Sequence, residues 1–503
     1  MFATVLSSLV RGLDGRVVEV QVDIAPAGVP GFLLIGLAGG SVREARERVR
    51  SAIRNSGLSF PQRRLTVHLA PAELPKDGPG LDLAIAAGVC VAELGLTPPR
   101  GAAFLGELAL DGGVRHVDGV LVAARGLARQ GISELFVAAP DAAEAALAAG
   151  LRIYPCPDLG AVVRHLSGEG ALVPYSDGQR AVAEDPPPEQ DLAEVQGQDA
   201  ARRALELAAA GGHHLLMWGP PGAGKTMLAR SLPGLLPPLT LDEALEVAQV
   251  RSVLGDLPVG RPLDWRRPFR DPHHSISRAG LVGGGSGLAA PGEITRANHG
   301  VLFLDELAEF DGATLQALRQ PLEQGRVVLT RRGGAVSYPA HFQLVAATNP
   351  CPCGWEGDDR RACRCTPGAI DAYRRALSGP LLDRLDLQVT VPRTPLEALG
   401  RDADGEPSAA VRARVLEARR AQRERQGCLN ASLRPAQLRR WAPLAPPARS
   451  ALERWATQRG LTARGFHRAW RVARTLADLE GEGIVRERDV MEALGYRLVD
   501  RAA

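Results

Sequence analysis

Gly219-Pro220-Pro221-Gly222-Ala223-Gly224-Lys225-Thr226 follows the apolar run His214-Leu-Leu-Met-Trp218 and leads into Met227-Leu-Ala-Arg230. A buried strand, a glycine-rich turn and a helix start, in that order, aim backbone N–H groups and a helix N-terminus at one point, which is how phosphate is bound. The spacing G-x-x-x-x-G-K-T is a full phosphate-loop signature: the lysine reaches the β- and γ-phosphates and the threonine hydroxyl coordinates Mg2+. Of the 60 Lys and Arg residues in this 503-residue chain, only Lys76 and Lys225 are lysine. Arginine serves almost everywhere else, yet a compact ammonium stands where a planar guanidinium would not fit under a wrapped phosphate. The expectation is a nucleotide-binding α/β core.

Two more strands go with this loop. Val301-Leu-Phe-Leu-Asp305-Glu306 is apolar and ends in two carboxylates, and a buried strand delivers such groups rigidly to the C-terminal sheet edge where nucleotide sits. Asp305 is expected to hold Mg2+ through water, and Glu306 to polarise the attacking water as a base. Leu344-Val-Ala-Ala-Thr348-Asn349 is a further strand whose polar end orients that same water. In this order the three motifs resemble an AAA+ ATPase. Gly379-Pro-Leu-Leu-Asp383-Arg384-Leu-Asp386 then resembles the AAA+ segment that carries an arginine finger. Such an Arg reaches the γ-phosphate bound to the neighbouring subunit, so the resemblance implies a ring, a hexamer. The alternative reading of Arg384 is a plain ion-pair partner of Asp383 or Asp386. Arg464, in Thr462-Ala-Arg464-Gly465, resembles the second sensor of these enzymes.

At 503 residues the chain is too long for one core. Residues 1–170 read as an α+β domain: a half-buried strand at Arg16–Ile24, a helix opened by the capping-box pattern Ser41-Val-Arg-Glu44, a strand at Arg64–Leu69, an apolar helix at Leu81–Leu94, and a hairpin over Phe104–Val117 around Asp111-Gly112-Gly113. Residues 171–190 form a linker ending in Pro186-Pro187-Pro188, residues 191–395 the ATPase core, and residues 396–503 an Arg-rich helical lid. Net charge of +3 gives no bulk argument for nucleic acid, so any basic surface is local. The N-terminus lacks a basic leader, and the apolar run Leu83–Ala92 is about half of a membrane span. A cytoplasmic location without membrane contact is expected.

Longer blocks narrow the resemblance. They are Pro268-Phe-Arg-Asp-Pro-His273-His274-Ser-Ile-Ser277, Leu281-Val-Gly-Gly-Gly285, Pro291-Gly-Glu-Ile294, Asn298-His-Gly-Val-Leu-Phe-Leu-Asp-Glu-Leu307 and Arg46-Glu-Arg-Val-Arg-Ser-Ala-Ile53. Together they identify the chain as resembling the magnesium-chelatase-like AAA+ family known as YifB or ComM, over nearly its whole length. That resemblance implies a ring helicase for DNA branch migration in recombination and natural transformation. The first domain resembles the proteolytic domain of Lon. Where Lon carries its nucleophilic Ser and its catalytic Lys, however, this chain has Gly80 and Leu121. A Ser–Lys mechanism needs both groups, so proteolysis is not expected. Lys76, in the same loop, reads either as a subunit or ligand contact or as a structural ion pair.

Val327-Val-Leu-Thr-Arg331-Arg332-Gly-Gly-Ala-Val-Ser-Tyr338 reads as a hairpin with a Gly-Gly turn. AAA+ proteins of the chelatase and helicase branch carry such a hairpin, and in helicases it faces the pore. Arg331 and Arg332 at its tip suit phosphate contacts that follow a DNA backbone without reading bases, or a solvated turn. His273 and His274 read as pore-facing or as packed and capping residues. Cys351-Pro-Cys353 and Cys363-Arg-Cys365 supply four thiols, enough to close a tetrahedral structural Zn2+ site or to remain packed and reduced. The combined expectation is an ATP- and Mg2+-dependent ring motor on single-stranded or branched DNA. The alternatives are a chelatase-type motor, against which the fused first domain stands, and a protein-remodelling ATPase, against which stands the 4% aromatic content.

Overall fold

The computed structural model describes residues 1–37, 39–76, 78–176, 187–285, 289–331, 334–358, 361–377, 381–393 and 405–497. Pro186, Arg332, Gly379, Pro380 and the 395/396 boundary lie outside them, as does the middle of the 171–190 linker, residues 177–186.

A seven-stranded mixed sheet organises the N-terminal part. Its strands are β1 (Phe2–Arg11), β2 (Asp14–Ile24), β3 (Gly31–Ile35), β4 (Arg64–Ala70), β5 (Ala102–Leu105), β6 (Glu134–Ala138) and β7 (Arg152–Cys156), in the order β3-β4-β2-β1-β5-β6-β7. β1 and β2 pair antiparallel along their whole length, from Phe2 opposite Asp23 to Arg11 opposite Asp14. The alternation read in β2 is real: Val18, Val20, Val22 and Ile24 are all fully buried. Helix Asp82–Leu94 is almost entirely apolar and buried from Asp82 to Ala92, because it lies between the sheet and the helices Gly40–Asn55 and Leu159–Ser167. A Cβ at its Gly88 would lie 2.8 Å from Val22 Cγ2, so glycine sets how closely helix and sheet approach.

Three local expectations are corrected. Helix Gly40–Asn55 begins one residue before Ser41, with Gly39 in the cap position and no side-chain cap, so position 41 falls in the first turn and cannot start a capping box. Phe104 and Leu105 belong to β5, parallel to β6, and only Glu107–Leu108 and Val114–Arg115 pair across Asp111–Gly113. Their burial explains the difference: a fully buried strand belongs in the sheet interior rather than on an exposed hairpin. Lys76 is fully buried and its ammonium donates to the Pro71 carbonyl, so its partner among the described residues is a backbone oxygen rather than a carboxylate.

The second sheet carries five strands, all parallel. They are β8 (Leu215–Trp218), β9 (Phe269–Arg270), β10 (Val301–Leu304), β13 (Gln343–Thr348) and β14 (Leu387–Thr390), in the order β9-β10-β13-β8-β14. Between β10 and β13 the antiparallel hairpin β11 (Arg326–Arg331) and β12 (Gly334–Pro339) stands outside the sheet. Arg331 pairs with Gly334, so Gly334 belongs to the second strand and not to a Gly-Gly turn. Apolar clusters cover both faces of the sheet, one around Leu205, Leu228 and Leu232, the other around Leu281, Ile294 and Leu315. Helices Ser408–Gln426, Pro446–Arg459, Ala463–Leu479 and Glu487–Gly495 share the first of these cores. Arg419 Nε and Gln422 Nε2 donate to the carbonyls of Ala209 and Ala210 at 2.7 and 3.1 Å, satisfying the otherwise bare end of helix Asp199–Gly211. Among the described residues no helix is long and apolar enough to cross a membrane.

The two sheets are joined through helix Leu241–Val253. Ser252 Oγ donates to Glu144 Oε1 at 2.6 Å, the Leu121 N–H to the same oxygen at 2.8 Å, and Arg125 Nη1 to Gln249 Oε1 at 3.0 Å. Burial raises the Glu144 pKa against those two donors. The hairpin makes a second joint: a Cβ at Gly12 (φ +62°) would sit 2.3 Å from Val336 Cγ1, and the Arg11 guanidinium lies against Gly334. Removing one donor from a buried carboxylate leaves its desolvation uncompensated, at about 1–3 kcal/mol. Ser252→Ala is therefore expected to lower the urea-unfolding free energy by about that amount; a change below about 0.5 kcal/mol would remove Glu144–Ser252 from the joint.

Candidate functional site

Every strand of a parallel sheet ends at the same edge, and three of them bring their following residues together there. After β8 the loop 219–226 turns into helix Lys225–Leu235. Lys225 is buried, and its ammonium donates to Gly219 O at 2.6 Å, Pro220 O at 2.9 Å and Asn349 Oδ1 at 3.0 Å. Burial lowers its pKa, while the carboxylates of Asp305 and Glu306 act in the opposite direction. Thr226 Oγ1 donates to Asp305 Oδ2 at 3.0 Å, which sets a hydroxyl and a carboxylate oxygen side by side as a hard-oxygen pair suited to Mg2+. Lys225, Thr226, Asp305, Glu306 and Asn349 thus form one constellation, as expected from their strand ends.

Glu306 adopts a left-handed backbone (φ +50°) secured by its own N–H donating to Asp305 Oδ1 at 2.8 Å. Such a conformation at a non-glycine residue stores strain and re-aims the side chain. Its Oε2 lies 3.1 Å from His274 Nδ1. The His274 ring is tilted against that of His273 with centroids 4.0 Å apart, and Asp271 pairs with Arg230 of the phosphate-loop helix at 2.9 Å. The contact between His274 and Glu306 escaped sequence reading. The available signal was topological: β9 is the neighbour of β10, so residues just beyond both strands must adjoin.

Arg384 and Arg464 are not at this edge. They line one cavity of about 710 Å³ that also touches His214, Gly300, Gln343 and Asp386, the residues that precede or begin β8, β10, β13 and β14. That is the opposite edge, about 13 Å away across a four-residue strand. Arg384 is buried and pairs with Glu323, whereas Asp386 takes Arg468 at 2.7 Å and His213 at 3.4 Å. Burial pushes the Asp386 carboxyl up, but Arg468 and His213 override it and hold it well below the usual range. Arg464 lies in the first turn of helix Ala463–Leu479, capped by Thr462, whose Oγ1 accepts the Gly465 N–H at 3.1 Å.

The four sulfurs of Cys351, Cys353, Cys363 and Cys365 lie within 4.8 Å of one another. A Cβ at Gly80 would meet Leu105 Cδ1 at 3.3 Å, and Leu121 is fully buried, so neither position offers a nucleophile or a base. The side chain of Arg331 and the whole of Arg332 lie outside the described residues.

Comparison with known proteins shows the family. Family models described as "Magnesium chelatase, subunit ChlI", its C-terminal part, and "Subunit ChlI of Mg-chelatase" match residues 191–399, 405–497 and 18–141. Competence protein ComM of Haemophilus influenzae is 43% identical over 99% of this chain and 98% of its own length. YifB of Escherichia coli is 42% identical over 97% of this chain and 96% of its own. The magnesium-chelatase 38 kDa subunit of Cereibacter sphaeroides is 28% identical over 31% of this chain and 51% of its own.

Two substitutions separate binding from chemistry. Lys225→Ala removes the only ammonium in the loop and is expected to abolish binding of a fluorescent ATP analogue; binding within about threefold of wild type would refute the assignment. Glu306→Gln is expected to bind ATP but to lose turnover by about 100-fold or more, and unchanged turnover would remove it as the base.

Proposed function

Because the chain belongs to the YifB/ComM family of magnesium-chelatase-like AAA+ proteins, we propose that it is a ring-forming ATPase motor that moves on DNA and remodels branched recombination intermediates. The observation that supports ATP hydrolysis most directly is the meeting of Lys225, Thr226, Asp305, Glu306 and Asn349 at one sheet edge. The triphosphate lies along loop 219–226, and the Lys225 ammonium turns from the carbonyls of Gly219 and Pro220 to the β- and γ-phosphates. Thr226 and Asp305 would hold Mg2+, which would supply charge neutralisation on the phosphates. Glu306 takes the proton of the attacking water as that water's oxygen bonds to the γ-phosphorus and ADP leaves. Asn349 orients the water, and His274 positions the Glu306 carboxylate.

The strand length between the two sheet edges supports a ring. Arg384 and Arg464 stand too far from their own subunit's phosphate loop to touch its γ-phosphate, so both act on the nucleotide of a neighbouring copy, in a hexamer. The DNA reading draws on the competence-protein relative and on the basic hairpin tip, where Arg11 lies beside Gly334. Zn2+ at the four cysteines is structural, and the N-terminal unit is a non-catalytic collar in a cytoplasmic motor.

The test is ATPase rate with and without single-stranded, duplex and four-way-junction DNA, with Glu306→Gln as the blank. Stimulation greatest on junctions is expected. No stimulation by any of the three over the DNA-free rate would refute DNA as the track and favour a protein or chelatase partner. Arg384→Ala is expected to bind ATP normally yet lose hydrolysis by about 10³-fold. Mixing it with Lys225→Ala should restore part of the rate, because each copy then supplies what the other lacks.

A further inference from the structure

Cys351 follows Asn349 by two residues, so whatever anchors Cys351 also sets the end of β13, from which Asn349 reaches Lys225. Between Cys351 and Cys365 the described residues form neither helix nor strand, and in residues 351–358 only Cys351 and Gly354 are buried. A segment this poor in apolar contacts does not hold its shape by burial. It is nevertheless tied to the nucleotide site. Gly354 (φ +81°) is pressed so closely to the phosphate loop that a Cβ there would lie 2.6 Å from Pro221 Cδ and 3.9 Å from Asn349 Cγ. Trp355 is sandwiched between the guanidinium groups of Arg361 and Arg393, each 4.5 Å from its ring centroid, and Glu356 accepts from Arg374 with both oxygens at 2.9 Å.

We propose that a divalent metal of the zinc type, bound by the Cys351, Cys353, Cys363 and Cys365 thiolates, forms a wall of the nucleotide site, and that its occupancy sets nucleotide affinity by holding Gly354 against Pro221 and Asn349 toward Lys225. The sulfurs fit such an ion. Zn–S bonds of about 2.3 Å in a tetrahedron place sulfurs about 3.8 Å apart. Here Cys351–Cys353, Cys351–Cys363 and Cys353–Cys363 are 3.4, 3.6 and 3.6 Å apart, and the Cys365 N–H donates to Cys363 Sγ at 3.4 Å. Four thiols lose four protons as the ion binds, leaving a dianionic tetrathiolate and releasing the protons to solvent. Thiolates select this class of metal over Mg2+, so the hard-oxygen pair at Thr226 and Asp305 does not compete for it. The cluster joins two segments twelve residues apart, and in a segment without a core such a bond replaces hydrophobic packing.

This inference rests on the nucleotide reading of loop 219–226, and the experiment separates the two. The full chain is purified with Zn2+, its metal counted by mass spectrometry, then stripped with a nitrogen-ligand zinc chelator and reloaded. A fluorescent ATP analogue is titrated at each stage in constant Mg2+. One zinc per chain is expected. Its removal should weaken the analogue by roughly tenfold or more, since small misplacements at such sites have large effects, and Zn2+ but not extra Mg2+ should restore it. Gly354→Ala keeps all four thiols, so it should retain one zinc and still lose affinity. Failure to bind zinc tightly, or affinity within twofold with and without it, overturns the proposal alone. A zinc-loaded chain that binds no ATP brings down the nucleotide reading and this one with it.

Discussion

All five strands of the ATPase sheet point the same way, and that single constraint divides the chemistry of the molecule. Residues that follow a strand gather at one edge and residues that precede it at the other. Lys225, Asp305, Glu306 and Asn349 belong to the first group; His214, Arg384 and Asp386 belong to the second. Buried strands cannot flex to bring the groups together. In the proposed ring, these opposite edges are the surfaces that neighbouring copies would bring together.

The helical C-terminal part reinforces the division. Helices Ser408–Gln426 and Ala463–Leu479 share the core of the phosphate-loop side of the sheet, yet their arginines Arg423, Arg464, Arg468 and Arg471 line the cavity at the opposite edge. The phosphate-loop helix and the arginine-bearing helices are therefore in one packing unit, so a displacement of either is felt by the other. On the other flank, helix Leu241–Val253 and the hairpin β11–β12 both touch the N-terminal sheet, through Ser252–Glu144 and through Val336 against Gly12.

What could be read in the sequence was whatever depends on short-range order. The runs at Leu215–Trp218, Val301–Leu304 and Leu344–Ala347 are continuously apolar because both of their faces are covered, and the phosphate loop, Asp305–Glu306 and Asn349 follow directly after the strands that hold them. Strand β2 was legible by alternation. Contacts across large separations were not. His274 meets Glu306, Gly354 meets Pro221 and Arg384 meets Glu323 only because of strand order and helix packing, which no local period encodes. The ion-pair reading of Lys76 differs for a related reason: charge suggests a carboxylate partner, but among the described residues the fully buried ammonium donates to the Pro71 carbonyl. Helix Gly40–Asn55 shows the limit at boundaries, where a plausible cap lost by one residue.

The three acceptors around Lys225 also bear on how quickly nucleotide is exchanged. A buried ammonium abandoned by its phosphate would ordinarily face a large desolvation penalty, and that penalty would slow the departure of ADP. Here Gly219 O, Pro220 O and Asn349 Oδ1 can take the cation back as the phosphate withdraws. Under the proposed function, leaving would be a hand-over between hydrogen-bond partners, and the dwell time of the product would fall.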